Sequence, residues 1–236
     1  MLLFVEAKAN LGEAAIIANH NSHSLYLLPR EPLLRRFFER ADLIEADSTP
    51  LLLWARLVKG AGRGFHRCTY LDWRDAFWAR AAARGWKVFY LGGAPGVAQT
   101  ASDLIMSEFP GVTVRVRDGY FDASEGSADN AALVEEINRF GPDILFVGMG
   151  MPRQEIWIVH NQPALSPCVT FSLGAAFDYE AGVQSAAPRW MGRIGLEWLF
   201  RLVNDPRRLF FRYVVEPWSL ISPAIQDLRL ALAQSR

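Results

Sequence analysis

The chain has 236 residues, 51% of them hydrophobic and 21% charged, with eight Trp and fifteen Phe, the composition of a globular protein with a full core in one large domain or two small lobes. Its 25 basic and 25 acidic residues cancel, which argues against a general nucleic-acid binder. No run approaches the ~18–20 apolar residues of a membrane span, and no basic stretch leads into a long apolar one at the N-terminus, so a soluble or peripheral protein without a signal peptide is expected.

Residues 14–18, Ala-Ala-Ile-Ile-Ala, read as a short buried strand ending at Asn19-His20-Asn21-Ser22. Residues 31–40 are helical in pattern, with Leu33, Leu34, Phe37 and Phe38 inward and Arg and Glu outward. A second strand, Ala41–Ala46, runs into Asp47-Ser48, and helix resumes over Leu51–Val58. Gly60–Gly64 breaks it, a seam between a small N-terminal lobe and the rest.

Beyond the seam, strand and helix alternate. Helices are expected over Trp73–Arg84, Val97–Phe109, Ala128–Phe140 and Gln154–Asn161, and strands over Lys87–Leu91, Val112–Arg117, Ile144–Val147 and Cys168–Leu173. Strands separated by helices of this length imply βαβ crossovers and a mostly parallel, Rossmann-like sheet. From about Trp190 the chain turns aromatic and arginine-rich. The expected organisation is an α/β catalytic core over 1–189, with an N-terminal lobe over about 1–64 and a Rossmann-like lobe over about 65–189, followed by a helical appendage over 190–236.

Open α/β sheets bind ligands at the carboxyl ends of their strands. Two glycine-rich turns fall there: Gly92-Gly93-Ala94-Pro95-Gly96, and Gly148-Met-Gly-Met-Pro152 with Gln154 and Glu155 opening the next helix. Glycine lets backbone approach a ligand, proline stiffens the turn, and helix N-termini favour anions. An ordinary strand-to-helix turn is the competing reading of each. The first turn lacks the full Gly-x-Gly-x-x-Gly spacing, and with Asp118 as a ribose-binding acid it keeps a nicotinamide-dependent oxidoreductase open as an alternative.

Asp47, at the end of a strand on the same edge as Asn19 and Asn21, could act as a general base toward a sugar hydroxyl, since burial raises a carboxyl pKa. The competing reading is a helix N-cap, which Asp, Ser48 and Thr49 before a Leu-rich run also suit. Glu45 and Asp47 alone make a weak metal pair, and the histidines His20, His23, His66 and His160 have no zinc spacing. Two cysteines far apart, Cys68 and Cys168, fit a reduced cytoplasmic setting.

Residues 189–236 carry eight arginines, no lysine and four carboxylates, a net +4. Arg201, Arg207, Arg208 and Arg212 gather around Pro206 among Trp198, Phe200, Phe210, Phe211, Tyr213 and Trp218. Guanidinium groups grip phosphates bidentately and interfacial aromatics suit a bilayer edge; simple packing of these helices on the core is the alternative.

Five ordered blocks resemble the WecG/TagA/CpsF family of bacterial glycosyltransferases: Ala41-Asp-Leu-Ile-Glu-Ala-Asp47, Phe89-Tyr-Leu-Gly-Gly-Ala-Pro-Gly96 with Asp118-Gly-Tyr-Phe121, Pro152-Arg-Gln-Glu-Ile-Trp157, Gly174-Ala-Ala-Phe-Asp-Tyr-Glu-Ala-Gly182, and Gly195-Leu-Glu-Trp-Leu-Phe-Arg-Leu202 followed by Pro206-Arg-Arg-Leu209. Ser48, Asn19 and Ala186 depart from the glycine, threonine and arginine usual at those positions. The resemblance implies an inverting, metal- and cofactor-independent transferase that moves a hexose, N-acetylmannosamine-like or glucose-like, from a UDP-sugar to a polyprenyl-diphosphate-linked sugar. It implies a peripheral location on the cytoplasmic face of the membrane, docked through the appendage, with a homo-oligomer possible. Carried over, Asp47 is the base, Gln154 orients substrate, Asn21 lies in the cleft and the tail arginines bind diphosphate. Asn19, Arg67, Gly92, Gly93, Gly148, Gly150, Pro152 and Asp178 complete the expected substrate-binding set. A catalytically dead scaffold of a polysaccharide-assembly complex remains a further alternative.

Overall fold

A computed structural model describes residues 1–59, 66–193 and 195–234. In chain order the elements are α1 (Leu2–Leu11), β1 (Ala15–His20), α2 (Ser22–Leu27), α3 (Pro32–Arg40), β2 (Leu43–Ala46), α4 (Thr49–Lys59), α5 (Tyr70–Arg84), β3 (Lys87–Gly92), α6 (Val97–Glu108) and β4 (Thr113–Arg117). There follow α7 (Ala128–Phe140), β5 (Ile144–Gly148), α8 (Arg153–Asn161), β6 (Val169–Ser172), α9 (Ala176–Glu180), α10 (Arg189–Arg193), α11 (Glu197–Asn204), α12 (Pro206–Phe210) and α13 (Glu216–Gln234), with a π-helical turn at Phe211–Val215. The expected seam at Gly60–Gly64 lies outside the described residues.

The chain forms two compact units. The first comprises Met1–Asn19, Pro32–Glu45 and Thr69–Ser185; the second comprises His20–Glu31, Ala46–Cys68 and Ala186–Arg236. The six strands make one parallel sheet ordered β2-β1-β6-β5-β3-β4. Strands β1 and β2, which the sequence suggested for a separate N-terminal lobe, therefore join the same sheet as the strands beyond residue 65.

The first unit holds nearly all of the fully buried apolar side chains. Its central strands are apolar without alternation because both faces are covered: every residue of β5 is buried, as is β3 from Val88 to Gly92. The edge strand β4 alternates instead, with Val114 inward between exposed Thr113 and Arg115. Helix α5 buries Tyr70, Trp73, Phe77, Trp78 and Ala81, a stripe at helical spacing. Phe77 meets Phe146 at 5.1 Å between ring centroids, and Phe146 meets Phe171 edge-on at the same distance. Gly85 ends α5 in the left-handed conformation at φ 64°.

Two connections define the ligand edge. β4 lies on one side of β3 and β5 on the other, so the carboxyl ends of β3 and β5 form a topological switch point. The register pairs Leu91 with Val147 and Gly92 with Gly148, setting both glycine-rich turns at the same level.

In the second unit α13 packs on α2 and α4. His23 Nδ1 meets Glu216 Oε2 at 2.7 Å, the Trp54 indole donates to Asp227 at 3.2 Å, and Tyr26 meets Phe211 edge-on. Buried apolar residues are scarce here: Leu52 and Leu209 are the two among the described side chains. Many large ones are exposed, among them Trp198, Phe210, Phe211, Trp218, Ile221, Ile225 and Leu230. Among the described residues no helix is long and apolar enough to cross a membrane.

Candidate active site

At the switch point the glycines divide by function. A Cβ on Gly148 would fall 2.5 Å from the Gly174 carbonyl oxygen and closer still to the Tyr90 hydroxyl, and one on Gly92 would overlap the Gly148 carbonyl. These two glycines are required by the close approach of the protein's own backbone. Gly93 and Gly150 are different: both have positive φ, and a Cβ on Gly150 would meet nothing within 4 Å. Beside Gly93 stand the Tyr90 ring and the Asp178 carboxylate, 3.8 and 3.9 Å from where a Cβ would lie. The Tyr90 ring stacks on Phe177 at 3.8 Å, and its buried phenol, desolvated and near Asp178, is held well above the usual tyrosine range.

The Gly148–Pro152 turn is held from within. Gln154 is 3% exposed; its Oε1 accepts the Gly150 N–H at 3.1 Å and its Nε2 donates to Glu155 at 2.6 Å. Expected at the mouth of the turn, it faces inward, because Glu155 is wholly buried and needs a donor. The Met151–Pro152 peptide is cis. Arg153 donates to the Phe121 carbonyl at 2.9 Å and lies over the Phe121 ring, tying the 118–121 loop to this turn. Asp118 accepts from Tyr120 N–H at 2.9 Å, an Asx turn.

The charged site belongs to the second unit. Asp47 follows directly on β2, its N–H donating to the His20 carbonyl at 2.8 Å. The cap of α4 is supplied by Ser48, whose Oγ accepts from Leu51 N–H at 3.4 Å and bonds Ser22 Oγ at 2.7 Å. The capping role weighed for Asp47 thus falls to its neighbour. Around the Asp47 carboxylate stand Arg67, Glu197, Arg201 and Arg212. Arg67 divides its guanidinium, Nη2 lying 2.6 Å from Glu197 and Nε 3.9 Å from Asp47. Desolvation pushes the Asp47 pKa up to about 7; Arg67, Arg201 and Arg212 pull against that rise and Glu197 reinforces it. A carboxylate with this pKa is poised to accept a proton near neutral pH.

The tail arginines separate. Arg201 and Arg212 act on Asp47, and burial lowers the Arg212 pKa. Arg207 and Arg208 are exposed, and Arg208 pairs with Asp205 at 2.5 Å. Of the expected asparagines, Asn21 caps α2, its Oδ1 accepting from His23 and Ser24 N–H at 3.0 and 3.1 Å. The Asn19 N–H donates to Ser172 Oγ at 3.0 Å in the first unit. The structure thus gathers Asp47, Arg67, Arg201 and Arg212 in one unit and Gly92, Gly93, Gly148 and Asp178 in the other. Glu197 was not singled out from sequence, although it lies within the Gly195-Leu-Glu-Trp198 block. Among the described residues no three His, Cys, Asp or Glu side chains come close enough to hold a metal ion.

Comparison with known proteins agrees with the resemblance seen in the motifs. The glycosyl transferase WecG/TagA/CpsF family matches residues 1–233. An N-acetylglucosaminyldiphosphoundecaprenol N-acetyl-beta-D-mannosaminyltransferase of Staphylococcus aureus strain MW2 is 25% identical over 202 residues, covering 81% of this chain and 77% of its own length. The protein of the same name from strain NCTC 8325 / PS 47 has the same identity and coverage.

Proposed function

The chain belongs to the WecG/TagA/CpsF family of glycosyl transferases, and from that premise we propose that it moves an N-acetylmannosamine-like hexose from a UDP-sugar to a sugar carried on a polyprenyl diphosphate. The similar staphylococcal proteins are named for that sugar and that class of acceptor. The observation that carries the reading is the Asp47 carboxylate, pushed up to about 7 beside three arginines. An acceptor hydroxyl has to lose its proton as its oxygen attacks the anomeric carbon. Asp47 takes that proton, the new C–O bond forms on the face opposite the nucleotide, and the bond to UDP breaks with its electron pair going to the diphosphate, so the anomeric centre inverts. Arg201 and Arg212 offset the charge developing on the departing diphosphate, as preorganised cations do in a recessed site. Arg67, Arg201 and Arg212 supply positive charge beside Asp47, the part a divalent metal plays in other transferases, and metal-independent transfer is the expected behaviour.

Within the first unit Gln154 fixes the Gly148–Pro152 turn, and Gly93, Gly150 and Asp178 are the side of that unit we assign to substrate binding. The exposed aromatic and aliphatic side chains of the second unit, together with Arg207 and Arg208, dock the enzyme on the anionic cytoplasmic leaflet, where the acceptor's lipid resides. A nicotinamide-binding role is less favoured, since Asp118 is engaged in a turn.

The test is UDP release from a panel of UDP-sugars with a short-chain lipid-diphosphate acceptor, in excess EDTA. UDP-N-acetylmannosamine is expected to give the highest rate. No turnover with any UDP-sugar would leave the scaffold reading, and a loss in EDTA reversed by Mg²⁺ would overturn the metal-free mechanism.

A further inference from the structure

We propose that Glu197 is a positioning residue that holds the Arg67 guanidinium away from full pairing with Asp47. The proposal rests on the reading of Asp47 as the base. The geometry within the second unit is unequal: Arg67 makes a contact of 2.6 Å to Glu197 and stands 3.9 Å from Asp47. Arg67 and Glu197 are recessed, their side chains 19% and 25% exposed, so water screens the pair incompletely. Gly192 lies against the pair, and a Cβ there would come within 3.3 Å of both Arg67 Nη2 and Glu197 Oε2. Any side chain at 192 would therefore crowd the ion pair.

A guanidinium is a fork with five donors, and a carboxylate that takes one end bidentately would be a weak base. With Glu197 occupying Nη2, Asp47 feels Arg67 only across the longer gap. Arg67 still supplies positive potential for a diphosphate, and Asp47 keeps its affinity for a proton. The charged groups facing Asp47 are Arg67, Glu197, Arg201 and Arg212. Arg212 in turn is influenced by Tyr213 and by Glu216, which pairs with His23. On the β1 side Asp47 meets the His20 carbonyl, and the His20 ring is bonded to Ser24 Oγ at 2.6 Å. Among these groups Glu197 is the acid whose charge raises the Asp47 pKa.

The experiment is the pH dependence of kcat for the full-length enzyme and three variants. In the wild type the rate falls as pH drops through the ionisation of the base, near pH 7. Glu197→Gln removes the charge that favours protonation of Asp47 and frees Arg67 to close on it, so this acid limb should move down by about one pH unit. Arg67→Gln removes a cation that favours ionisation, so its limb should move up. Both variants also lower the plateau, which a purely structural pair would do as well; opposite displacements of the limb are what a structural pair would not produce. An unmoved limb in Glu197→Gln overturns the proposal. Should that variant fail to fold, an unmoved limb in Arg67→Gln overturns it equally. Asp47→Asn separates the premise from the inference: a limb that persists without Asp47 refutes the base, whereas a limb lost in Asp47→Asn but unmoved in Glu197→Gln refutes only the role of Glu197.

Discussion

The two units of this chain are built on opposite principles. The first buries Trp73, Phe77, Trp78, Phe146 and Phe171 in a close-packed core and places glycines where backbones meet. The second buries little beyond Leu52 and Leu209, and is knit instead by charged and polar pairs: Arg67 with Glu197, His23 with Glu216, and Trp54 with Asp227. Substitutions in the aromatic core and at the close-contact glycines of the first unit should therefore register mainly as lost stability. In the second they should register as lost chemistry in a protein that still folds.

The sharpest contrast in the first unit is at Gly148. Gly148→Ala sets a Cβ 2.5 Å from the carbonyl of Gly174, just beyond β6, and a backbone atom at that distance has to shift to admit it. We expect a loss on the order of 3 kcal/mol and little soluble protein, measured by chemical denaturation. A variant as stable as wild type would break the comparison on this side.

The next effect lies in the tail. Arg201→Gln with Arg212→Gln should lower transfer by about a hundredfold with the thermal midpoint nearly unchanged, a magnitude typical of removing preorganised charge stabilisation. Arg207→Gln with Arg208→Gln, both exposed, should leave transfer to a water-soluble acceptor analogue within about threefold while weakening binding to anionic vesicles, since each surface cation contributes ~1 kcal/mol there. Equal losses from the two pairs would erase the distinction between them.

Gln154→Ala gives a smaller effect than the loss of Arg201 and Arg212. It removes the acceptor for Gly150 N–H and the donor to buried Glu155, and kcat/KM is expected to fall about tenfold, ~1.4 kcal/mol. A change under about twofold would make the turn self-supporting.

The same contrast explains how much could be read from sequence. Continuous apolar runs such as Ile144–Val147 and the stripe of α5 announce themselves, because burial on both faces or on one face imposes a pattern. Helix α1 carries no such stripe, with Val5 its one buried residue, and five-residue α9 is too short to show one, so neither is legible in the sequence. Asp47 stood out as a carboxylate at a strand end. That Ser48 rather than Asp47 caps α4, or that Gln154 turns inward, depends on side-chain geometry that spacing does not encode. Glu197 was the hardest to see: it meets Arg67 from 130 positions along the chain, and long-range charge pairing leaves no local period.

The most direct test of the central claim is Asp47→Asn, followed by transfer at saturating donor, UDP binding by calorimetry and thermal stability against pH. As the base, Asp47 should be worth ~10²–10⁴ in rate, with UDP affinity and fold retained. Because its folded pKa of about 7 lies above the ordinary aspartate value of 3.8, the ionised carboxylate costs stability, fully above pH 7 and not at all below the unfolded pKa. The variant should therefore be more stable than wild type at pH 8, and that advantage should vanish by about pH 4. Slower chemistry in a more stable protein is the predicted result. Near-full transfer by Asp47→Asn, or a variant that simply unfolds, would contradict the account.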